Sequence, residues 1–517
     1  MIGVKQQKSR NLQKNFTMRQ LLQLSIFTGI LWISFAISGF AQNNPAVLYG
    51  SHYHQQAARL NPAKLGDSYT NLDITGLPLP VPTFNLYTWA GNNRLGAKDF
   101  QKYFIDGGNT IDSLTIEDFI GRFKNKNIIG AGMQAQVFGF SFKINKKTKV
   151  MDMDNPDLVD IPVIRRDEII TISFDIIERA AISTRIPKEL AAFVWRGNGS
   201  PEFLGREVDL GNLATNGYWL REFSLGAAMP IYQGLDVKVR AGVRLKYLQG
   251  IAAVRSKRAK FTVLTQDPTQ GGTINVNADY LVNVSTPLQV DTAGNFVELD
   301  NPSAGTFLQA QGSGFGIDLG TSITIQDRFV GTFSLIDLGG VGFRKNVVNY
   351  SLNASESFNG VTIPGDFSAG NFDGANGILD SLTTNFEPQN SFNRFSIPLP
   401  TRVMLQAEYK VPRIDKKGRK FNKHHFFLTY IQGFGEYGIS TARPSFTAAY
   451  SHNLGQQMNF GFSATSGGYS GFGIGSFVSF KIGYYRLGLG TNNLTALMFR
   501  SGGKGADFSF NLSTAFR

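Results

Sequence analysis

The 517-residue chain contains no cysteine, which excludes disulfide bridges, thiolate zinc sites, iron–sulfur clusters and cysteine nucleophiles. Charged residues are scarce, at 17%, so the chain is not a disordered polyelectrolyte. Glycine is abundant, with 57 residues, and argues against a helix-rich enzyme because it weakens helix interiors. Phenylalanine supplies 43 residues. Because disulfides and thiolate metal sites are excluded, backbone hydrogen bonds and packing must hold the fold together.

Residues 1–41 have the pattern of a secretory signal peptide. An apolar stretch from Leu21 to Phe40 follows a basic flank, and Gly39-Phe40-Ala41 supplies small residues for cleavage. Removing the five basic residues of this leader lowers the net charge of the chain from +13 to +8. A permanent membrane anchor is the alternative interpretation. A lipoprotein anchor is excluded, because it requires a cysteine.

After residue 41 the sequence contains no run of about 20 apolar residues, so it predicts no further membrane helix. Instead, apolar and polar residues alternate with the period of a β-strand. In Leu235–Gln249 one face is apolar and the other carries Lys238, Arg240, Arg244 and Lys246. Seven further segments show the same alternation: 170–176, 274–285, 315–325, 403–411, 458–464, 474–482 and 508–516. Most are close to the ten residues that a tilted strand needs to cross a bilayer.

Two features favour a transmembrane antiparallel β-barrel over a soluble β-sandwich or propeller, which remains the alternative. The clustered cations Lys238, Arg240, Arg244 and Lys246 suit a hydrated lumen better than a dry core, and we take them as candidate lumen-lining residues. The chain also ends on an aromatic-rich strand, 508–516, as outer-membrane barrels do. Because bacterial single-chain barrels use even numbers of strands, we expect about 14. The predicted class is all-β.

Other segments do not have the strand pattern. Residues 42–112 are rich in Pro, Gly and Asn and predict an irregular, plug-like segment before a barrel that spans 113–517. Ser113–Phe123 and Pro187–Val194 predict short helices. The turn-rich stretch 346–398 predicts the longest surface loop.

The order of these features resembles an uncharacterised Bacteroidota outer-membrane β-barrel family built on domain of unknown function 5723. The resemblance covers nearly all of residues 45–517. It is carried by the series YGSHYHQQAARLNPAKLGDS, LTIEDFIGRFKNKNIIGAGMQAQVFGFSF, GNGSPEFLGREVDL, LREFSLGAAM, VRAGVRLKYLQGIAAV, GSGFGIDLGTSITI, FSLIDLGGVGFRKN, LPTRVMLQAEY and FGIGSFVSFKIGYYRLGLGTNNL.

More distantly, the chain is similar to fatty-acid-transporter-like barrels and to the barrel partners of the type IX secretion system. These proteins carry an Asn-Pro-Ala element near the start, which Asn61, Pro62 and Ala63 match. In the transporter-like barrels the N-terminal segment forms a hatch inside a 14-stranded barrel. The resemblance therefore implies that residues 42–112 plug the lumen, and it does not identify a substrate.

Residues that could support catalysis are few. Of the five histidines, His52 and His54 would share a strand face and could ligate a metal, but no third ligand follows by spacing. Polar contacts within a plug are the favoured interpretation, and we predict no metal or cofactor. Ser451, His452 and Asn453 cannot converge as a catalytic trio, because neighbouring strand residues face opposite ways. The sequence therefore predicts that the protein is not an enzyme.

We conclude from the sequence that this is a protein of the cell outer membrane, exported by its signal peptide. The predicted function is a passive channel or transporter for a small hydrophobic or anionic molecule. The alternative is a barrel scaffold or accessory partner of surface secretion (type IX) or gliding machinery. The expected partners are outer-membrane lipid and lipopolysaccharide, the barrel assembly machinery and, under the alternative, secretion-system proteins. An exported chain gives no reason to expect nucleic acid.

Overall fold

A computed structural model describes most of the chain after residue 56. The described residues are 57–65, 67, 71–76, 82–94, 113–150, 163–267, 269, 272–291, 294, 297, 305, 308–358, 389–414, 420–435, 442–455, 457–468, 471–494 and 504–516. The predicted signal peptide, 1–41, and the two histidines at 52 and 54 lie outside these residues.

The described chain is built mainly of β-strands. They are β1 Leu72–Thr75, β2 Asn85–Asn92, β3 Asn127–Val150, β4 Val163–Ile186, β5 Glu207–Asp209, β6 Ala214–Gln233, β7 Val237–Thr265, β8 Ile274–Ser285, β9 Gly312–Ile325, β10 Phe329–Phe343, β11 Val347–Phe358, β12 Gln389–Ser391, β13 Phe395–Pro398, β14 Arg402–Ile414, β15 Lys420–Gly433, β16 Ser445–Leu454, β17 Met458–Gly467, β18 Gly471–Ile482, β19 Tyr485–Thr491 and β20 Gly505–Phe516. The helices are α1 Ala57–Leu60, a 3₁₀ turn Pro62–Lys64, α2 Ser113–Arg122 and α3 Lys188–Arg196. None of these helices is long and apolar enough to cross a membrane.

The strands close into an antiparallel barrel of 14 strands, which confirms the predicted fold class and strand number. Around the wall, β3, β4, β6, β7, β9 and β10 are followed by β14 to β20. The last position is shared by β1 and β2, which lie end to end between β20 and β3. Closure leaves no unpaired edge in the wall, as a strand structure in lipid requires.

The segment 42–112, which the sequence predicts as plug-like, divides between two places. Its strands β1 and β2 belong to the wall, whereas residues 57–65 lie inside the barrel, in contact with β6, β7 and β9. The two strands have only four and eight residues and are separated by residues 76–84, with a left-handed Gly76. Runs this short do not show the strand period clearly.

The two faces of the wall differ in polarity, as the alternation predicts. On β16, Phe446 points outward and is 53% exposed, whereas its neighbours Ser445 and Thr447 point inward and are buried. Leu428 on β15 and Phe315 on β9 are likewise exposed on the outer face. The outer surface is therefore an apolar band, and the polar side chains collect in the lumen.

The two ends of the barrel are unequal. Short turns join β6 to β7, β9 to β10, β16 to β17 and β18 to β19 at one end, where β1 begins and β20 ends. In one of these turns Gln326 and Asp327 have positive φ values of 50° and 53°, as a tight hairpin requires. The connections that carry α2 and α3 leave the other end. We call these the short-turn end and the long-loop end.

A small sheet extends the wall at the long-loop end. Beyond Gly250, β7 exchanges its partner β9 for β8, and β8 then pairs with β11. The segment 274–285 is thus a strand, as predicted, but it lies outside the wall. The predicted surface loop 346–398 begins with the strand β11 and ends with β13. Its first residues, VVNYSLNASESF, alternate between apolar and polar side chains as a strand does, and the prediction of a loop overlooked this pattern because the residues that follow are rich in turn-forming dipeptides.

Both predicted short helices are present, as α2 and α3. They pack together beside this extension, where Ile120 and Ala192 join the buried residues Phe203, Val208 and Val263. Arg196 at the end of α3 pairs with Glu117 of α2. The helices therefore sit at the long-loop rim.

Candidate functional site in the barrel lumen

The turn that contains the Asn-Pro-Ala element is held inside the barrel by its asparagine. The Asn61 side chain is fully buried. Its Oδ1 accepts the backbone N–H of Ala63 at 2.9 Å and so caps the 3₁₀ turn that begins at Pro62. Its Nδ2 donates to the carbonyl oxygens of Thr321, at 3.1 Å, and Phe333, at 3.3 Å, on the wall. One side chain therefore shapes the turn and fastens it to β9 and β10.

The wall beneath this turn is flat because two glycines lie directly opposite each other. Gly242 on β7 pairs with Gly320 on β9, and we call this pair the glycine seat. A Cβ atom at Gly242 would lie 2.3 Å from the Pro62 carbonyl carbon. A Cβ atom at Gly320 would lie 2.1 Å from Asn61 Oδ1. Only glycine at both positions lets the turn approach this closely.

Further contacts fasten the segment 57–65, which we call the lumen turn. Ser334 on β10 donates to the carbonyl oxygen of Leu60 at 2.6 Å. Arg59 donates to Gln136 on β3, and Lys64 donates to Gln406 on β14. Burial lowers the pKa of the Arg59 guanidinium to about 10 and also lowers the pKa of Lys64, because the charged forms lose water. The lumen turn thus contacts several sides of the wall.

On the long-loop side of the glycine seat, ion-paired side chains cross the lumen. We call the six of them the charge layer: Arg179, Glu222, Lys246, Asp318, Asp337 and Arg402. Asp337 is the centre of this layer. Its carboxylate lies 2.8 Å from an Arg179 nitrogen, 2.7 Å from Lys246 Nζ and 3.1 Å from an Arg402 nitrogen. Since β4, β7, β10 and β14 are not all neighbours, these pairs span the interior.

The backbone at Asp337 explains its central position. The register of β10 against β9 shifts between Leu335 and Leu338, and Asp337 has a positive φ of 59° within this bulge. Its N–H donates to Asp318 Oδ1 at 2.7 Å, and its carbonyl accepts from Thr401 Oγ1 at 2.7 Å. The bulge thus turns a carboxylate into the lumen. The interruption of the alternation in Leu335-Ile336-Asp337-Leu338 is the signal that sequence reasoning missed.

Each of the four predicted lumen cations has an acidic partner. Lys238 lies at the short-turn end, partly exposed, with its Nζ 2.8 Å from Asp327 Oδ1. Arg240 pairs with Asp67 and Glu168, and Arg244 with Asp175 at 3.6 Å. Lys246 belongs to the charge layer. Most of these partners lie on other strands or beside the lumen turn, so strand periodicity could not reveal them.

A buried apolar layer lies between the charge layer and the long-loop end. Its most buried members, each at most 1% exposed, are Leu220, Leu248, Val341, Phe343 and Ile397. Trp89, Tyr87 and Tyr218 belong to the same cluster. Phe343 stacks on Phe395 with ring centroids 5.3 Å apart. The interior at this level is therefore aliphatic and aromatic.

The structure places the candidate catalytic trio as the strand period predicts. Ser451 and Asn453 are buried and face the lumen, whereas His452 faces outward, so the three side chains do not converge. No group of three or more His, Cys, Asp and Glu side chains that could hold a metal ion occurs within the described residues.

Residues 157–492 match a family of unknown function, DUF5723. The chain belongs to this family. The match covers the region from just before β4 to the end of β19 and confirms the resemblance seen in the sequence. No curated protein matches the chain.

Solved structures of other bacterial barrels are similar to this chain at low sequence identity. The Ralstonia pickettii toluene transporter TbuX is 9% identical, with a TM-score of 0.39, over 89% of this chain and 94% of that one. A Pseudomonas aeruginosa FadL homologue is 10% identical, with a TM-score of 0.36, over 93% and 100% of the two chains. The translocator domain of the autotransporter NalP from Neisseria meningitidis is 9% identical, with a TM-score of 0.27, over 91% and 100%. At these TM-scores the similarities do not identify a substrate.

Proposed function

We propose that this DUF5723 protein is an outer-membrane channel that passes a small hydrophobic molecule inward from the cell surface. The observation that carries the proposal is the buried apolar layer inside a closed barrel. A pore for hydrophilic solutes has a polar, water-filled lumen, whereas Leu248, Phe343 and Ile397 pack against one another here and would line an apolar path when they separate. The four paired cations give no support to an anionic solute.

The unequal ends of the barrel support an orientation. Outer-membrane barrels have short turns in the periplasm and long loops outside the cell. The short-turn end then faces the periplasm, and the apolar layer lies toward the cell surface. A molecule from outside would meet the apolar layer first, then the charge layer, and finally the lumen turn on the glycine seat. We propose that displacement of the lumen turn opens the short-turn side of this path, and that the charge layer and the apolar layer separate when a ligand enters.

Conductance in planar bilayers tests the proposed role of the lumen turn. The deletion should remove only residues 42–65, because the longer deletion of 42–112 would also remove the wall strands β1 and β2. We expect the shortened barrel to conduct ions more readily than the intact protein. Equal conductance of the two proteins, both folded, would contradict the proposal.

The apolar ligand can be tested through Trp89, which lies in the apolar layer and is 7% exposed. Bromobenzene, a brominated apolar probe, should quench the fluorescence of the protein in lipid vesicles. The matched control is Trp89→Phe, in which the saturable part of the quenching should disappear. Identical quenching of the two proteins would count against binding in the apolar layer.

The lipid-facing wall predicts a large penalty for a charge in the middle of β15. Leu428→Arg should lower the free energy of unfolding in bilayers by about 2–4 kcal/mol, because the guanidinium would enter the hydrocarbon. The control is Leu235→Arg in the β6–β7 turn, where the leucine is fully exposed and the expected change is below about 0.5 kcal/mol. Denaturant titration of both variants measures the difference. Equal stabilities would contradict the membrane wall.

A further inference from the structure

Two histidines face each other on the outer surface of the barrel. His424 on β15 lies directly opposite His452 on β16. Their Nδ1 atoms are 3.3 Å apart. The hydroxyl of Tyr450, two residues before His452, lies 2.7 Å from His424 Nδ1 and 3.1 Å from His452 Nδ1. Three polar atoms of three side chains therefore meet at one point.

The spacing of the imidazole nitrogens matches shared metal coordination. Zinc binds histidine nitrogen at about 2.0–2.1 Å, so two nitrogens in a tetrahedral site lie roughly 3.3–3.4 Å apart. Directly opposite residues on antiparallel strands have Cβ atoms about 4.5–5.5 Å apart, which lets both rings converge without backbone movement. His424 and His452 already show this geometry.

We propose that His424 and His452 bind a divalent transition-metal ion of the kind that imidazole favours, represented by Zn²⁺. Tyr450 lies at the edge of the site, and water completes the coordination. Because two imidazole ligands are fewer than the four of a structural zinc site, this site is open. The ion would join β15 to β16 as a clamp. The proposal is independent of the proposed transport function.

The surroundings of the pair suit such a site. It lies near the short-turn end, where β15 begins at Lys420 and β16 ends at Leu454. The Phe460 ring is 5.3 Å from the His452 ring. Phe426 is 5.3 Å from Tyr450, centroid to centroid. Aromatic residues at this level form the girdle of a membrane barrel, and an apolar shell limits the access of water to a bound ion.

Equilibrium dialysis with Zn²⁺ tests the site. The mature barrel carries no histidine tag and is first stripped of metal with a chelator. On dialysis against Zn²⁺ it should then bind about one Zn²⁺ per chain. His424→Gln and His452→Gln should each abolish this stoichiometric binding. Tyr450→Phe should weaken binding by about 10–100-fold, the usual effect of removing a group that orients metal ligands.

Two control variants make the test specific. His425→Gln changes the neighbouring histidine, which faces the lumen and contacts Glu408, and should keep the ion. The double variant H52Q/H54Q should also keep it. Heat-modifiable migration on gels shows that each variant is folded. No bound Zn²⁺ in the intact barrel, binding that survives in folded H424Q and H452Q, or binding lost in H52Q/H54Q would overturn the proposal.

Discussion

Asp337→Asn is expected to destabilise the barrel by about 3–5 kcal/mol, the usual cost of breaking a buried ion pair from one side. The substitution removes the carboxylate shared by Arg179, Lys246 and Arg402, and leaves those cations without their central partner in the lumen. Asparagine tolerates the positive φ of 59° at this bulge, so the backbone is not the cause of the effect. Urea unfolding in bilayers or detergent measures the loss.

The matched control is Asp327→Asn in the β9–β10 turn. Asp327 also has a positive φ and also pairs with a lysine, Lys238, but it is 62% exposed. Exposed pairs contribute about 0–1 kcal/mol, so this variant should unfold close to the unaltered protein. A loss of less than about 1 kcal/mol in D337N, or equal losses in both variants, would show that the charge layer does not depend on Asp337.

Gly320→Val is expected to release the lumen turn and to raise conductance to the level of the 42–65 deletion. The added Cβ would lie 2.1 Å from Asn61 Oδ1 and 2.9 Å from Pro62 Cδ, so the lumen turn cannot stay in place. Overpacking strain of about 1–3 kcal/mol, if borne by the turn, reduces the ratio of seated to released turn by roughly 5- to 150-fold. The wall itself should persist, because valine favours strands.

Gly331→Val on β10 is the control for this prediction. Gly331 is a strand glycine whose added Cβ would meet no atom within 4 Å. It should therefore fold and conduct as the unaltered protein does. If G320V folds, as judged by heat-modifiable migration, and its conductance equals that of G331V, the glycine seat does not hold the barrel closed.

Much of the wall was predictable because lipid and water impose one simple pattern on it. A strand in a barrel has one apolar face and one polar face, so Lys238 to Lys246 and Val403 to Val411 revealed their strands directly. The same rule correctly predicted β8 as a strand but not its place, because its apolar side packs on residues such as Val263 in the long-loop extension and not on lipid. Alternation with a period of two residues indicates a strand with one apolar and one polar face. It does not indicate whether lipid or protein covers the apolar face.

The lumen was much less predictable. Asn61, Pro62 and Ala63 were recognised only as a motif, and their seat, Gly242 and Gly320, lies about 180 and 260 residues away along the chain. The partners of Arg244 and Lys246 lie on β4, β6, β9 and β10. Contacts across a barrel depend on closure and stagger, which leave no periodic trace in the sequence, and on the bulge at Asp337, which shows only as a break in the alternation.

The sequence by itself determined that this is an all-β chain with an alternating, membrane-suited wall, since alternation is a local property of each strand. It also determined α2 and α3, whose helical period and N-terminal residues are local as well. Only the tertiary structure decided that β1 and β2 complete the wall, that the lumen turn rests on two glycines, and that charges and apolar residues form separate layers. Those features arise when residues distant in sequence meet inside a closed barrel, where every buried charge requires a partner.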